Sequence, residues 1–432
     1  MKKYKCFIAF FLLICSCTPA AELQQTKQEI PTVLSRRYVE AKDLVDLDSL
    51  PNQITKRRVA LNPCYVFGNY IPDTNHLDHT PIKTIRINIH WLNAADSSIN
   101  YYGEKAIDFT MGWLHSAGKD LETNNKLWLP YRNEIPVLPT RYRYELTPKK
   151  GDPNDKGIYF HFDDTLSYYV HKGRTRNLFD RRVINKYGVQ LDSVLNIFVM
   201  PHHPDSVASS TYLAGSVGVA LGNAIKIAGP FEDKGPSWKY RGVLNHEVGH
   251  IFGLNHAWRN DGCPDTPDHP GKCWGRTEEP PCDTMATNNV MDYNALQNGW
   301  SPCQIGRVQQ HLSIPEYRTR KFVKKTWCKK ITDPIVIRDS ISWGGAKDLE
   351  SDVIVEGGGV LTIGCRISFP EAAQLIVKPG GKLILDKSAY LHNDCGLEWD
   401  GIVMEEQGAL KAEVYKRGKP KIEQVKHPII LE

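Results

Sequence analysis

The middle of the chain alternates short apolar strands with amphipathic helices. Residues 83–92 carry isoleucine at every second position, which predicts a strand with one buried face. Residues 104–121 place apolar side chains three and four positions apart, which predicts an amphipathic helix. Further strands are predicted over 141–146, 157–162 and 194–200, an irregular glycine-rich edge strand over 213–229, and a helix over 240–253. This interleaving predicts one α+β domain over about 75–320, with helices on a twisted mixed sheet.

After about residue 330 the pattern changes to short apolar runs separated by glycines. Residues 353–363 align with 375–385 at an offset of 22, and a weaker third copy begins at Ile402, 27 residues further on. One aligned position is occupied by glycine and another by leucine in all three copies: Gly359, Gly381 and Gly408, then Leu361, Leu383 and Leu410. Two strands around a glycine turn in each repeat predict an all-β domain over 329–432, either a short β-solenoid or a small sandwich, docked on the first domain.

The N-terminus has the pattern of an export signal. Three lysines precede an apolar run that is too short to cross a membrane as a mature helix. The run ends at Ile14-Cys15-Ser16-Cys17, which resembles the lipobox of bacterial lipoproteins and implies removal of residues 1–16 and acylation of Cys17. We therefore expect an envelope lipoprotein anchored at the outer membrane or cell surface, with residues 17–63 as a polar spacer or pro-segment. The alternative is an ordinary secreted protein, cleaved near Ala20.

Composition and charge narrow the function classes. Hydrophobic residues make up 41% and charged residues 24% of the 432 positions, which excludes a mostly disordered or fibrous protein. The formal net charge of +5 falls to +2 once the three lysines of the signal are removed, so the charge does not indicate a nucleic-acid partner. We expect a monomer that binds no nucleic acid.

The segment from His246 to His256 has the spacing of a metal site. Residues four apart share a helix face, so His246 and His250 can direct imidazole nitrogens at one ion. Glu247 is placed to face a metal-bound water without ligating the metal. Gly253 can take a positive φ and end the helix, which lets the chain turn and bring in His256 as a third ligand. Three protein ligands with an open fourth position predict a catalytic zinc ion.

This His-Glu-x-x-His-x-x-Gly-x-x-His pattern is that of the metzincin zinc endopeptidases. Their second feature, a methionine turn, resembles Asn289-Val290-Met291-Asp292-Tyr293. The intervening segment 261–267 is similar to the signature of the pappalysin family of metzincins, although Asn260 replaces a glycine and Cys263-Pro264 stands where that signature has a hydrophobic residue. The resemblance covers roughly residues 190–312. It implies a two-part catalytic unit whose cleft crosses the zinc and opens beside the edge strand near 217–221.

The resemblance also implies calcium near the aspartate-rich segment. Asp261, Asp265 and Thr266 offer oxygen ligands that suit this hard cation. The alternative is a solvated acidic loop with a proline turn.

Zinc chemistry then implies the mechanism. Zinc lowers the pKa of its bound water and polarises the scissile carbonyl, while Glu247 takes the proton and passes it to the leaving amine. Tyr293 would stabilise the developing oxyanion, or else is a packed tyrosine near the methionine turn. We expect an endopeptidase over residues 64–328 that cleaves proteins or peptides. The alternatives are a binding or adhesion lipoprotein on a retired protease fold, working through its β-rich tail, and a zinc hydrolase of a non-peptide bond.

Eight cysteines remain after the signal and the acylated cysteine are subtracted, and an even set in an exported chain indicates disulfides. Four of them predict two disulfides around the loop and methionine turn: Cys263, Cys273, Cys282 and Cys303. Cys365 is expected to pair with Cys395. Cys64 has two interpretations: a disulfide with Cys328 that joins the ends of the catalytic domain, which parity favours, or a latency cysteine on the zinc, as in some metzincins.

Overall fold

The computed structural model describes residues 34–49, 62–96, 100–210, 217–233 and 235–429. Mixed sheets with few helices make up the part before about residue 328, and the part that follows is rich in strands. The N-terminal and central strands are β1 Leu34–Tyr38, β2 Leu44–Asp46, β3 Lys83–Asn93, β4 Tyr142–Leu146, β5 Ile158–Phe162, β6 Leu195–Met200, β7 Val217–Ala220 and β8 Ala224–Ala228. The α-helices are α1 Glu104–Thr123, α2 Arg182–Tyr187, α3 Pro204–Ala208, α4 Pro230–Asp233, α5 Arg241–Ile251 and α6 Pro302–Ser313.

Strand β3 is an interior strand of the central sheet, whose order is β4-β3-β6-β8-β7, with β5 also paired to β3. The strands β3, β4, β5, β6 and β8 pair parallel with one another. Strand β7 pairs antiparallel with β8 and forms one edge. The strands predicted from the apolar pattern are confirmed, with small shifts at their ends, and the glycine-rich segment does contain an edge strand.

Both faces of this sheet are covered by buried side chains, as expected for parallel strands with near-continuous apolar runs. One face packs on α1 and α5, where Trp113, Ile197 and Leu244 are fully buried in one cluster. The other face packs on α2, where Ile184 lies in a second cluster with Phe198. Helix α5, which carries the histidine motif, is therefore held against the sheet by the main core.

Hydrogen bonds also fix α5 against its neighbours. Trp113 Nε1 donates to the carbonyl of Tyr240 at 2.8 Å, immediately before α5 begins. Asn245 Nδ2 donates to the carbonyl of Ala117 at 3.2 Å, and its Oδ1 accepts from the hydroxyl of Tyr144 at 2.8 Å. Because Asn245 directly precedes the first histidine, these bonds set the rotation of the helix about its axis.

The C-terminal region consists of short strands in three ladders. The ladders are β9-β12-β15-β18, β10-β13-β16-β20 and β11-β14-β17-β21, and all of these pairs are parallel. The strands are β9 Ile335–Ile337, β10 Ser340–Trp343, β11 Lys347–Asp348, β12 Val353–Val355, β13 Val360–Ile363, β14 Arg366–Ser368, β15 Gln374–Val377, β16 Lys382–Leu385, β17 Tyr390–His392, β18 Gly401–Gln407, β19 Leu410–Lys411, β20 Glu413–Lys416 and β21 Lys421–Ile422.

The sequence repeat is confirmed for its first strand and corrected for its second. Val353 pairs with Leu375, and Leu375 pairs with Ile402, which are the predicted offsets. Leu383, however, pairs with Val414, while Leu410 folds back antiparallel onto Gln407. The third copy contains a hairpin between its two strands, so the alignment of Gly408 and Leu410 with the earlier copies is wrong.

Residues 34–49 lie within the segment that was expected to be a polar spacer or pro-segment, yet they contain two strands. Strand β1 pairs antiparallel with β18, and β2 pairs parallel with β20, so residues 34–49 extend two ladders of the C-terminal region. Val39 and Leu44 are buried in its core. Pairing at a sheet edge uses backbone groups and needs few apolar side chains, so a polar sequence gives little sign of it. Cys17 and the rest of the predicted signal lie outside the described residues.

The structure pairs all eight remaining cysteines, but two pairs differ from the expected ones. Cys64 bonds to Cys365 and Cys328 bonds to Cys395, in place of the expected Cys64–Cys328 and Cys365–Cys395 pairs. The reason is the docking of the C-terminal region, which brings each partner from the other part of the chain. Since Cys64 is in a disulfide, it offers no free thiol for a latency role.

The other four cysteines form the two local disulfides that were expected, Cys263–Cys303 and Cys273–Cys282. Within the described residues, no helix has both the length and the apolar character needed to cross a membrane.

Candidate active site

Three imidazoles meet at the C-terminal half of α5. His250 Nε2 lies 3.1 Å from His246 Nε2 and 3.1 Å from His256 Nε2. On the other side of each ring, His246 Nδ1 lies 2.8 Å from the carbonyl of Val290, and His250 Nδ1 lies 2.8 Å from the carbonyl of Leu254. Donation from Nδ1 to a carbonyl leaves the Nε2 lone pair free, and this is the usual orientation of a histidine that binds a metal.

The turn after α5 brings His256 to the other two histidines. Gly253 has φ of 81°, in the left-handed region that glycine adopts at little cost. A Cβ atom on Gly253 would lie 2.6 Å from Nε2 of His311, so the turn also packs tightly against α6. A continuing helix would carry His256 away from its partners, and this reversal prevents that.

Burial keeps the three histidines neutral. It lowers the pKa of His246 to about 3 and that of His256 to about 4, and it also lowers the pKa of His250. A histidine must be neutral to offer a nitrogen lone pair. Three neutral imidazoles whose nitrogens lie within 4.8 Å of one another could hold a metal ion, and a set of nitrogen donors suits zinc.

Glu247 lies between α5 and the edge strand β7. Its side chain is only 5% exposed and accepts a hydrogen bond from the backbone N–H of Ala220. A Cβ atom on Gly218 would lie 2.5 Å from Cγ of Glu247, so these two residues are in direct contact. Burial raises the pKa of Glu247 to about 8, against the opposing effect of that hydrogen bond. The carboxyl group therefore has a raised proton affinity and faces the same cleft as the histidines.

The predicted methionine turn lies directly under α5. Met291 is fully buried. A Cβ atom on Gly249 would lie only 2.5 Å from Sδ of Met291, so the methionine packs directly against α5. The preceding residue, Val290, supplies the carbonyl that holds His246. The side chain of Asn289 accepts from the backbone N–H of Met291 at 2.8 Å and stabilises the turn. The turn thus supports both the helix and the first histidine.

Tyr293 stands beside the histidines at the mouth of the cleft. Its ring centroid is 5.2 Å from that of His256 and 5.7 Å from that of His246, and its side chain is 58% exposed. Desolvation of the hydroxyl, followed by the charge of Glu247, raises the pKa of Tyr293. The hydroxyl is therefore protonated at neutral pH and can donate a hydrogen bond.

Trp258 is a residue of this site that the sequence analysis missed. Its ring stacks on His256 with centroids 4.0 Å apart and contacts Tyr293 at 4.6 Å. The available signal was an aromatic residue two positions after the third histidine, which by itself is too common to be diagnostic.

The histidines and Glu247 open into a cleft of about 890 Å³. Strand β7 and the turn after it form one wall. The lining also includes four residues that the sequence analysis did not associate with the site: Phe179, Arg318, Thr319 and Lys321.

The aspartate-rich segment lies outside the lining of this cleft and is tied down by the Cys263–Cys303 disulfide. Thr266 Oγ1 lies 2.9 Å and 2.8 Å from the two carboxylate oxygens of Asp261. Asp265 Oδ2 accepts from the N–H of Cys303 at 2.9 Å, whereas its Oδ1 is buried and has no partner in the part of the chain that the structure describes. Asp261 and Thr266 are thus hydrogen-bonded to each other, and Asp265 has one carboxylate oxygen, Oδ1, available to a ligand.

No protein-family model matches the chain, and no curated protein matches it either. Among solved structures, the chain is similar to mature mirolysin from Tannerella forsythia in complex with a cleaved peptide, at 18% identity and a TM-score of 0.40, over 56% of this chain and 95% of that one. A mutant of Tannerella forsythia promirolysin matches at 17% identity and a TM-score of 0.40, over 56% of this chain and 84% of that one. Mirolysin in complex with a compound matches at 18% identity and a TM-score of 0.38, over 55% of this chain and 96% of that one.

Proposed function

We propose that this protein is a zinc-dependent endopeptidase. The observation that carries the proposal is the convergence of His246, His250 and His256 beside a buried Glu247 in an open cleft. The Nε2 atom of His250 lies 3.1 Å from the Nε2 atom of each of the other two histidines. A structural zinc site closes all four positions with protein ligands, whereas three ligands in a cleft leave a position for chemistry.

The three histidines would hold the ion, which when bound supplies a Lewis acid that activates water and polarises a carbonyl. Glu247 would take the proton of the attacking water and deliver it to the leaving nitrogen. Its raised pKa suits a group that must both accept and donate near neutral pH. Tyr293 would donate its hydroxyl proton in a hydrogen bond to the oxygen on which negative charge develops.

The choice of a peptide bond is supported by the edge strand. Strand β7 pairs on one side with β8 and forms an edge of the central sheet next to Glu247. An extended peptide can add to such an edge through its backbone hydrogen bonds, which would hold its carbonyl groups along the cleft. A substrate without a peptide backbone would gain nothing from this edge.

The experiment that tests the function compares cells that express the wild-type protein with cells that express Glu247→Gln. New protein N-termini are labelled and identified by mass spectrometry. We expect a set of N-termini that appears with the wild-type protein and disappears with Glu247→Gln. Equal sets from the two strains would refute the proposal, and loss of non-peptide metabolites alone would favour a different zinc hydrolase.

We propose further that the aspartate-rich segment binds calcium. The support is the buried Oδ1 of Asp265, which has no partner within the described residues, and oxygen is the ligand that calcium prefers. The mutual hydrogen bonds of Asp261 and Thr266 would have to rearrange. A rise in melting temperature with calcium, abolished in Asp265→Asn, tests this site separately from the zinc site.

For the two ends of the chain we propose an acylated Cys17 that anchors a bacterial envelope lipoprotein, and a short β-solenoid in the C-terminal region. The solenoid is supported by the parallel register of all three ladders, in which each strand pairs with the strand one repeat later. Residues 34–49 would then form an end cap of the stack.

A further inference from the structure

One wall of the cleft is a short 3-10 helix, Arg318–Phe322, which follows α6. Arg318, Thr319 and Lys321 line the cleft. Arg318 is exposed, and within the described residues its side chain has no hydrogen bond or ion pair. Lys321 is also exposed, and its Nζ donates to the carbonyl of Leu191 at 3.0 Å, which holds the ammonium group at the rim.

The accessible charge of this wall is positive. Among the residues that line the cleft, Arg318 and Lys321 are basic and Glu247 is acidic. Glu247 is buried against Gly218. A substrate in the cleft therefore meets two cationic side chains, Arg318 and Lys321, and no exposed carboxylate from the lining residues.

The same short helix is fixed by the C-terminal region. Arg320, which lies between the two cleft residues, points away from the cleft and is 8% exposed. Its guanidinium group donates to both carboxylate oxygens of Asp348, at 2.9 Å and 2.8 Å, and to Asp394 at 3.2 Å. A two-pronged arginine–carboxylate pair fixes orientation as well as distance.

Asp348 is itself held rigidly. It is fully buried on β11 and also forms ion pairs with Lys83 of the central sheet and with Arg366 of the C-terminal region. A buried charge network of this kind costs desolvation energy and is useful mainly where a defined geometry is needed. Here the geometry that it defines is that of the helix Arg318–Phe322.

We propose that Arg318 and Lys321 select substrates with an acidic side chain, aspartate or glutamate, near the scissile bond, and that the C-terminal region positions them through Arg320 and Asp348. This inference rests on the proposed endopeptidase function. The β-rich region then has a role in substrate selectivity, because its carboxylates hold the short helix whose cationic side chains contact the substrate. An exposed cation paired with a carboxylate contributes modestly, and two cations that line the same cleft bias both encounter and binding.

The test begins with a proteome-derived peptide library cleaved by the wild-type protein, which reads the residues on both sides of each cleaved bond. Two quenched fluorescent peptides are then made that differ only in Glu or Lys at the most selective position. We expect enrichment of Asp and Glu at one position and an approximately tenfold higher kcat/KM for the Glu peptide, the effect of about 1.4 kcal/mol. The double variant Arg318→Glu, Lys321→Glu should lose or reverse that preference.

Lys329→Glu is the matched control, because Lys329 is an exposed lysine whose side chain has no hydrogen bond or ion pair within the described residues. It should keep the wild-type preference. If the wild type cleaves the library without any acidic preference, or if the double variant keeps the preference, the inference is overturned. If the wild type cleaves no peptide at all, the endopeptidase function itself has failed.

The positioning role is tested with Asp394→Asn. This residue is at the edge of the network, with a side chain 22% exposed, so the fold should tolerate the change. We expect KM for the Glu peptide to rise about threefold while kcat and the KM of the Lys peptide stay unchanged. Binding of the uncleaved Glu peptide to Glu247→Gln, read by fluorescence anisotropy, should weaken by the same factor when Asp394→Asn is added. A uniform loss for both peptides would indicate a merely structural role and refute the positioning step.

Discussion

Gly218 on the edge strand and Glu247 on α5 are in contact so close that no side chain fits between them. A Cβ atom on Gly218 would lie 2.5 Å from Cγ and 2.6 Å from Oε1 of Glu247. Such a separation is far below ordinary van der Waals contact, so any larger residue must displace the carboxyl group. The edge strand therefore determines where Glu247 points.

We predict that Gly218→Ala abolishes most of the peptidase activity without loss of metal. The new methyl group pushes the carboxylate by about 1 Å, and a displacement of that size can lower the rate about a hundredfold. The measurement is kcat/KM on a cleaved peptide, together with zinc content by atomic absorption.

Gly118→Ala is the control, because Gly118 lies within α1 and a Cβ there would meet nothing within 4 Å. That change should leave activity intact and slightly stabilise the helix. Wild-type activity in Gly218→Ala would show that Glu247 does not act from the observed position.

Metal content separates the ligands from the base. Replacing His256 by alanine removes one of three donors and should lower the zinc bound per chain well below one at micromolar protein. Replacing Glu247 by alanine should abolish cleavage but leave zinc binding intact, since Glu247 is not a member of the three-histidine cluster that could hold the metal.

Inductively coupled plasma mass spectrometry of the dialysed proteins checks both statements. Removal of zinc from the wild-type protein with a chelator should also lower its melting temperature, because an ion that binds only the folded state stabilises that state. Zinc loss in Glu247→Ala equal to that in His256→Ala would mean that the carboxylate is a ligand. Cleavage above a tenth of the wild-type rate in Glu247→Ala would reject it as the base.

The apolar pattern and the histidine motif could be interpreted from sequence because both are local. Alternation over 83–92 reports a strand whatever it pairs with, and the spacing of His246 and His250 is set by one helix. Met291 could be recognised only through its family resemblance, since nothing local distinguishes it from a core methionine.

The structural features that could not be predicted from the sequence depend on pairing between distant segments of the chain. The register of β1 on β18 joins residues more than 360 positions apart in the chain, and it uses backbone groups that every residue has. The exchange of disulfide partners between Cys64 and Cys328 has the same cause, because parity gives the number of pairs but not the neighbours. The position of Arg318 in the cleft could not be predicted, because it depends on the path of the backbone after α6.

We predict that Cys17→Ala releases the protein from the membrane fraction. Acylation of Cys17 would be the attachment, and no membrane-spanning helix is found within the described residues. The measurement is immunoblotting of membrane and soluble fractions after a wash at high salt. A variant that still sediments with membranes would show that the lipobox interpretation is wrong.

The disulfide between Cys64 and Cys365 should contribute strongly to stability. It joins residues 301 positions apart, and closing a long loop restricts the unfolded chain most. The double variant Cys64→Ser, Cys365→Ser should lose about 4 kcal/mol in the free energy of unfolding, measured with urea.

Peptide mapping of the non-reduced protein provides the independent check. It should recover a linked Cys64–Cys365 peptide and a linked Cys328–Cys395 peptide. A Cys64–Cys328 peptide would restore the pairing that was expected from the sequence and contradict the observed docking.

The buried carboxylate of Asp348 predicts how the protein responds to acid. Burial alone would raise the pKa of Asp348, but the charges of Arg320, Lys83 and Arg366 outweigh it and hold that pKa well below its usual range. Because the folded-state pKa lies below the unfolded value of about 4, the contribution of Asp348 to stability is complete above about pH 5. It is lost progressively as the pH falls through and below 4.

Urea unfolding of the wild type between pH 7 and pH 3 should therefore show a falling free energy of unfolding, part of which belongs to Asp348. Asp348→Asn should cost about 3–5 kcal/mol at pH 7, since it leaves three buried cations without their common partner. The variant should also have a shallower dependence on pH below 5. If Asp348→Asn folds with the wild-type slope, the pKa of Asp348 does not differ between the folded and unfolded states, and the junction between the two parts of the chain is not held by the charge of this carboxylate.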